Sequence, residues 1–173
     1  MRKIISVVSF LRLKIRLGKK LKMYPQNDLS GKVDIKIEKD AEIMIGRGLH
    51  SIGPLYLKAI HSGCIILGKN CFFNHNCSIT AERKIQIGDS CCFGNNLVIV
   101  DHDHDIRNIT NGEFISDDIV IGNKVWVGAN VTILRGTYIG DNCVIAANSV
   151  VKGNIEDGTI YREKKYIKTK TIK

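Results

Sequence analysis

The sequence predicts an all-β solenoid, a single domain in which short strands coil around one axis. Three observations predict this fold class: an aliphatic residue at every sixth position from residue 121, sixteen glycines against two prolines, and an aromatic content of only 6% among 173 residues. Many glycines and few prolines are typical of tight turns between short extended segments. The scarcity of aromatic residues leaves Ile, Val and Leu to build the core.

The first predicted element is a basic amphipathic helix over residues 1–25. Residues 1–22 contain eight Lys or Arg and no acidic residue. The apolar run IISVVSFL has about the length of a signal-peptide core, but a basic stretch follows it instead of a cleavage site, and the run is too short to span a bilayer. The helix is therefore expected either to pack against the body of the protein or to lie on an anionic membrane surface.

A six-residue repeat begins at residue 121 and reads IGNKVW VGANVT ILRGTY IGDNCV IAANSV VKGNIE. Its first position is always aliphatic, and its fifth is small or β-branched in the first five hexads. A period of six is neither helical nor a simple alternation. Three hexads predict one triangular rung, with the first-position side chain inside, the fifth beneath the next corner and the glycine helping the chain to turn. One rung cannot bury its inner face, so rungs must stack into a parallel β-helix over residues 26–160.

The same pattern continues upstream with less regularity, from Ile35 to Ile99. One rung is then interrupted by a polar excursion over residues 101–118, which reads DHDHDIRNITNGEFISDD. Polar loops that leave a rigid scaffold are a usual place for chemistry. The excursion therefore supplies the first candidates for catalysis, His102 and, as the second choice, His104.

Charge and cysteine content exclude other classes of function. Basic residues are concentrated in residues 1–22 and in a tail over residues 161–173, and the segment between them is mildly acidic. A nucleic-acid binder normally carries basic and stacking aromatic residues on its folded body, so no nucleic-acid partner is expected. The six cysteines form no CxxC pair, which argues against a zinc ribbon. Reduced, buried thiols in a cytoplasmic protein are the simpler interpretation, with the membrane's inner face as the location if the helix binds lipid.

The hexads, the DHDH-containing excursion and the block VWVGANVTILRGTYIGDNCVIAANSVV resemble the hexapeptide-repeat acyltransferases. More narrowly, they resemble the O-acetyltransferases of the maltose, galactoside and capsular-polysaccharide type. The resemblance is strong over residues 64–155 and weaker over residues 30–63. It implies a left-handed parallel β-helix, a homotrimer with active sites between neighbouring prisms, and acetyl-CoA as the co-substrate.

The resemblance also implies roles for individual residues. His102 matches the catalytic histidine of the family, and Asn74 matches a residue that contacts the acceptor sugar, with Glu82 and His104 as further acceptor-site candidates. The family's closing glycine–proline turn is absent here, and a basic pair remains in its place. The basic pair is Lys165 and Lys168. The other residues that match CoA-binding positions of the family are Trp126, Ala129, Ala147 and Lys152.

His102 is predicted to act as a general base, because a sugar hydroxyl is a very weak acid and a neutral imidazole has a reference pKa of about 6.5. Either Asp101 or Asp103 could hold the imidazole tautomer. A backbone N–H of a rung turn could stabilise the oxyanion. The predicted reaction is acetyl transfer from acetyl-CoA to a saccharide hydroxyl of a polysaccharide or nucleotide-sugar precursor.

Three alternatives stay open from the sequence. The acceptor could be an antibiotic, a serine or an amino sugar, since the scaffold and the base would be the same. The protein could be a zinc lyase of the carbonic-anhydrase kind, with His75 as the only other histidine expected near His102. It could also be a catalytically silent scaffold or a binding protein. Independently of these alternatives, Asn74 could only cap a turn, and Trp126 could only pack at a trimer seam.

Overall fold

The structure, a computed structural model, describes residues 2–29, 31–106, 111 and 113–162. Within these residues the chain forms one α-helix, one 3-10 turn and twenty-one short strands. In chain order the elements are α1 (Arg2–Leu17), the 3-10 turn (Gly18–Lys20), β1 (Leu21–Lys22), β2 (Val33–Ile37), β3 (Glu42–Ile45), β4 (His50–Ser51), β5 (Leu55–Ala59), β6 (Cys64–Leu67), β7 (Phe72–Phe73), β8 (Cys77–Ala81), β9 (Lys84–Ile87), β10 (Cys92–Phe93), β11 (Val98–Val100), β12 (His102–His104), β13 (Phe114–Ser116), β14 (Ile119–Ile121), β15 (Trp126–Val127), β16 (Thr132–Leu134), β17 (Tyr138–Ile139), β18 (Val144–Ile145), β19 (Val150–Val151), β20 (Asn154–Ile155) and β21 (Ile160–Tyr161).

Nineteen of these strands form three parallel sheets, which we call faces 1, 2 and 3 of a triangular prism. Face 1 has the order β1-β3-β6-β9-β14-β17-β20, face 2 the order β4-β7-β10-β15-β18-β21, and face 3 the order β2-β5-β8-β11-β16-β19. Successive strands along the chain fall on successive faces, so the chain makes about six turns. This confirms the predicted parallel β-helix, and the topology agrees with the left-handed coil that the resemblance implies.

The repeat positions predicted to point inward are the core of the prism. The first-position residues are at most 1% exposed: Ile121, Val127, Ile133, Ile139, Ile145 and Val151. The fifth-position residues are equally buried: Val125, Val131, Thr137, Cys143 and Ser149. Each aliphatic side chain of this kind contributes about 1.5–3 kcal/mol when it is fully buried. Because each inner face is covered by the next rung, this stabilisation requires stacking.

At one corner of the prism, asparagine rather than the predicted glycine makes the turn. Left-handed backbone is adopted at one corner by four asparagines with φ between 57° and 62°, namely Asn76, Asn96, Asn130 and Asn148. Their side chains form a ladder of hydrogen bonds of 2.8–3.1 Å between successive rungs. The glycines that follow an inward aliphatic residue instead allow close approach of neighbouring rungs, since a Cβ on Gly88 would lie 2.6 Å from a backbone oxygen of the next rung.

The rungs upstream of residue 121 are longer than eighteen residues, which is why the repeat is less regular there. Ile43 pairs with Ile65, twenty-two residues later, and Ile65 pairs with Ile85, twenty residues later. Ile121 pairs with Ile139, eighteen residues later. The early face-3 strands β2, β5 and β8 have five residues each, whereas β19 has two. The extra residues widen the early rungs without changing their register.

The N-terminal helix is shorter than the predicted segment over residues 1–25. It ends at Leu17, where Gly18 adopts the left-handed backbone (φ +56°) that commonly stops a helix. Leu21 is already part of the coil, paired in parallel with Ile43 of β3. The residues after Gly18 are therefore taken into face 1, because this pairing satisfies their backbone groups.

One face of α1 covers the N-terminal end of the core. Leu13 is buried, and Phe10 and Leu17 pack against the core cluster. The Ser6 hydroxyl donates to Asp28 Oδ1 over 2.9 Å and accepts the backbone N–H of Leu29 over 3.1 Å. The side of α1 around Leu13 therefore packs against the body of the protein, which is one of the two alternatives predicted from the sequence. Among the described residues, no helix combines the length and the apolar character needed to cross a membrane.

The stacked aromatic rings of Phe73 and Phe93 provide a test of the core. Both side chains are fully buried, and their ring centroids are 4.6 Å apart. Replacing Phe73 by alanine (F73A) should lower the free energy of unfolding by about 3–5 kcal/mol, because it leaves a cavity between two rungs. Denaturant unfolding at fixed protein concentration measures this loss.

The matched control is Phe72→Ala, which removes the outward-facing ring of the same strand. This ring stacks on His50 at the surface, so its loss should cost about 1 kcal/mol. Equal losses in the two variants would contradict the inward and outward alternation of β7.

Candidate functional site

The polar excursion forms an antiparallel hairpin, and we call residues 101–118 the arm. It leaves the coil after β11 on face 3 and rejoins it at β14 on face 1. Within it, β12 and β13 pair with His102 opposite Ser116 and His104 opposite Phe114. The arm therefore carries the alternating His and Asp side chains away from the repeat while its two ends remain joined to neighbouring faces.

Two arginines from neighbouring rungs hold the two sides of the arm. Arg83 Nε donates to Asp118 Oδ1 over 2.7 Å, and Arg135 Nε donates to Asp103 Oδ2 over 2.6 Å. Because a single ion pair at the surface contributes at most about 1 kcal/mol, these contacts orient the arm rather than stabilise the fold. Asp103 is thus engaged with an arginine, and the imidazole of His102 has a different partner.

That partner is Asp101, whose carboxylate is fully buried. Its Oδ1 lies 2.9 Å from His102 Nδ1. The same oxygen accepts the backbone N–H of Glu82 over 2.8 Å, and Oδ2 accepts the backbone N–H of Arg83 over 2.9 Å. Of the two aspartates left open by the sequence, the structure therefore pairs Asp101 with the histidine and ties it to the preceding rung.

This arrangement determines what the His102 ring can do. With an ionised carboxylate at Nδ1, the neutral ring carries its proton on Nδ1 and leaves a lone pair on Nε2. Among the described residues, no hydrogen bond is made at Nε2. The ring is 12% exposed and packs edge-on against Phe114, with centroids 4.7 Å apart. The geometry suits a base that accepts a proton at Nε2 from a bound molecule.

Phe114 brings three histidines together, a cluster that the sequence analysis missed. Besides His102, its ring lies 4.9 Å from His104 and 5.9 Å from His61. His61 Nδ1 also lies 3.5 Å from Glu82 Oε1. His61 therefore shares Phe114 and Glu82 with the site, whereas the sequence pointed to His75. The sequence did contain a signal for this cluster, because a polar residue follows the face-3 strand on several successive rungs.

The remaining predicted site residues lie at two different corners of the prism. Glu82 and Lys152 follow face-3 strands, at the same corner as His102. The other described residues of the set belong to face 2 or to the corner that follows it: Asn74, Trp126, Ala129 and Ala147. A single chain therefore does not bring all of them together. Lys165 and Lys168 lie outside the described residues.

Asn74 and Trp126 have distinct surroundings. The Asn74 Oδ1 atom accepts the backbone N–H of His75 over 2.9 Å, which is the contact of a turn-capping residue. The Trp126 side chain points outward from β15 and is 57% exposed. An exposed indole of this size is available to a bound molecule or to a neighbouring subunit.

The cysteines of the described rungs have the character of packing residues. Burial raises the pKa of the Cys77 thiol to about 11, so its thiolate is rare at neutral pH. The Cys91 thiol donates to the carbonyl of Gly122 over 3.1 Å on the next rung. No group of three or more His, Cys, Asp or Glu side chains suited to a metal ion occurs in the part of the chain that the structure describes.

Two family profiles match the two regular parts of the coil. Bacterial transferase hexapeptide (six repeats) matches residues 118–153, and hexapeptide repeat of succinyl-transferase matches residues 64–100. A lipopolysaccharide biosynthesis O-acetyl transferase of Escherichia coli K12 is 32% identical over 140 residues, which are 72% of this chain and 69% of the relative.

The chain belongs to the hexapeptide-repeat acetyltransferases. Galactoside O-acetyltransferase from Escherichia coli K12 is 36% identical over 111 residues, covering 62% of this chain and 53% of that protein. The chain therefore spans about two thirds of the first of these relatives and about half of the second. A hexapeptide-repeat acetyltransferase from Vibrio cholerae has the same fold, with a TM-score of 0.56, 24% identity, and coverage of 98% of this chain and 94% of that one.

The buried carboxylate at the base of the arm gives a second prediction. Asp101→Ala should lower the free energy of unfolding by about 3 kcal/mol, because it removes a buried carboxylate that accepts the backbone N–H groups of Glu82 and Arg83. Denaturant unfolding provides the measurement. Asp103→Ala is the matched control, since it removes an exposed partner of Arg135 and should cost less than about 1 kcal/mol. A loss in D101A no larger than in D103A would contradict the structural role of Asp101.

Proposed function

We propose that this hexapeptide-repeat acetyltransferase transfers the acetyl group of acetyl-CoA to a saccharide hydroxyl, with His102 as the general base. One observation carries the proposal: a buried carboxylate holds the His102 ring at Nδ1, which leaves the lone pair of the neutral ring on Nε2. The acetyltransferase family supplies the reaction class. The alternatives of a zinc lyase and of a silent scaffold have no comparable support among the described residues.

In the proposed reaction, His102 Nε2 takes the proton of the acceptor hydroxyl as its oxygen attacks the thioester carbonyl. Positioned bases of this kind typically accelerate a reaction about 10²–10⁴-fold. The imidazolium formed in this step is stabilised by the Asp101 carboxylate. The C–S bond then breaks, and the imidazolium returns its proton to the departing thiolate of CoA. Phe114 packs on the imidazole and limits the positions that the ring can take.

A saccharide acceptor is supported by the relatives and by the polar groups near His102. Galactoside O-acetyltransferase and a polysialic acid O-acetyltransferase from Neisseria meningitidis are named for sugar acceptors. Glu82 supplies a polar group at the corner of His102, and His104 supplies another on β12 of the arm. Asn74 is the further candidate from the resemblance. A polysaccharide or nucleotide-sugar precursor in the cytoplasm is the acceptor class we propose.

For acetyl-CoA, we propose the surface along the corner that follows face 2. Ala129 and Ala147 lie there on successive rungs, and their small side chains leave the backbone accessible. Trp126, exposed on the adjacent strand, offers a flat surface to the cofactor. Lys152 lies at the corner of His102, so it would supply a positive charge for the pyrophosphate from the neighbouring subunit. Lys165 and Lys168 are the proposed partners of the remaining phosphate.

A homotrimer is proposed because His102 and the proposed acetyl-CoA surface lie at different corners of one chain. Face 3 separates the two corners, and its outer surface carries three exposed apolar residues, Tyr56, Val98 and Val150. A second subunit that covers this surface would bring its own corner to His102. The active site would then be shared between neighbouring subunits, as the family resemblance implies.

His102→Ala should reduce acetyl transfer at least about a hundredfold, because no other group replaces the base at Nε2. The release of free CoA, followed with a thiol reagent over a panel of saccharide and non-saccharide acceptors, is the measurement. Binding of acetyl-CoA and the oligomeric mass should be unchanged, since the ring contributes to neither.

His50→Ala is the matched control for this variant. His50 is an N-terminal surface histidine paired with Asp28, and its removal should leave the rate within about twofold of the unaltered chain. A His102→Ala variant that keeps a near-normal rate would exclude His102 as the base. Turnover on antibiotics or amino acids but not on sugars would exclude the acceptor class and keep the base.

A further inference from the structure

The N-terminal helix has a second apolar stripe that the fold does not use. Val8, Leu11 and Ile15 are 59%, 52% and 85% exposed. Their spacing of three and four residues places them along one line of the helix surface. The buried side of the helix, around Leu13, lies on the other side of its axis. Three large aliphatic residues therefore face outward from a helix that already covers the core with its opposite side.

The charge around this stripe is positive throughout. Residues 1–22 carry eight Lys or Arg and no acidic residue. Arg12 follows Leu11 directly, about 100° further around the helix, and is exposed. Arg16 has the same position relative to Ile15, and its guanidinium donates to the Ile35 carbonyl over 2.8 Å. Long basic side chains at this position can extend past an apolar stripe toward anionic groups. The stripe is apolar, and the segment that carries it contains basic but no acidic residues. It is therefore complementary to a surface with an apolar interior and anionic groups at its boundary.

We propose that α1 docks this chain on an anionic phospholipid surface, with Val8, Leu11 and Ile15 inserted among the lipid chains. A helix lying in the plane of the interface inserts only its apolar side and keeps its charged groups at the headgroups. Anionic headgroups attract the basic residues that flank the stripe. This goes beyond the acetyl-transfer proposal and is independent of its chemistry.

The packing of α1 on the prism determines the direction in which its exposed stripe points. Because α1 covers the N-terminal end of the prism, the stripe faces away from the rungs that carry His102. In the proposed trimer with parallel prism axes, the three helices would lie at the same end and could contact one membrane together. Three linked contacts bind far more tightly than one. This step alone rests on the proposed trimer.

The test is co-sedimentation of the full chain with lipid vesicles. The unaltered chain should sediment with vesicles of equal parts phosphatidylcholine and phosphatidylglycerol and stay in solution with phosphatidylcholine alone. The double variant Leu11→Ser with Ile15→Ser should reduce partition onto the mixed vesicles at least about fivefold, because it removes the inserted side chains without changing charge. The matched control, Ile52→Ser with Ile160→Ser, removes two exposed isoleucines elsewhere and should partition as the unaltered chain does.

Two results would overturn the proposal. Equal partition of the Leu11 and Ile15 double variant would mean that the stripe does not enter lipid and that charge alone holds any bound protein. A changed oligomeric mass of that variant in sedimentation velocity would assign the stripe to a contact between copies of the chain. Acetyl transfer to a soluble acceptor, measured on the same samples, separates this outcome from a failure of the proposed enzymatic function.

Discussion

The stacking of inward side chains from one rung to the next is the constraint on which the rest of the structure depends. Ile85 of β9 pairs with Ile119 of β14, and Ile121 pairs with Ile139 of β17, so each buried residue has another above and below it. No rung can bury its inner face alone. The parallel register is therefore fixed by the core, and every corner is positioned by the same repeat.

The site depends on this register because its parts come from several rungs. The Asp101 carboxylate at the end of β11 receives two backbone N–H groups from the corner of the rung before it. Arg83 on that earlier rung and Arg135 on the following rung pair with opposite sides of the arm. The arm raises the separation between the paired residues Ile87 and Ile121 to thirty-four, and it is held at its base by these contacts. The regular coil supplies a rigid support, and the arm supplies the reactive ring.

The sequence predicted most of the fold and part of the site. The six-residue period predicted the coil, the inward positions and the place where the arm leaves it. It did not predict that Asn would make the left-handed turns at one corner, because Gly and Asn both adopt that backbone and only the closeness of neighbouring rungs separates their roles. The predicted site lacked His61, because its position depends on upstream rungs of twenty and twenty-two residues, whose phase relative to the arm the eighteen-residue repeat does not provide. It lacked Phe114 because the pairing of Phe114 with His104 is set within the arm, outside the repeat.

By itself, the sequence determined that the chain coils, that its core is aliphatic, and that an imidazole lies where the coil is interrupted. A hydrophobic period is a local property, and it can be counted along the chain. The tertiary structure alone decided that Asp101 rather than Asp103 supports His102, and that the helix buries one apolar side and leaves the other exposed. Both outcomes depend on contacts between residues far apart in sequence, and these follow from the length of each rung rather than from the repeat.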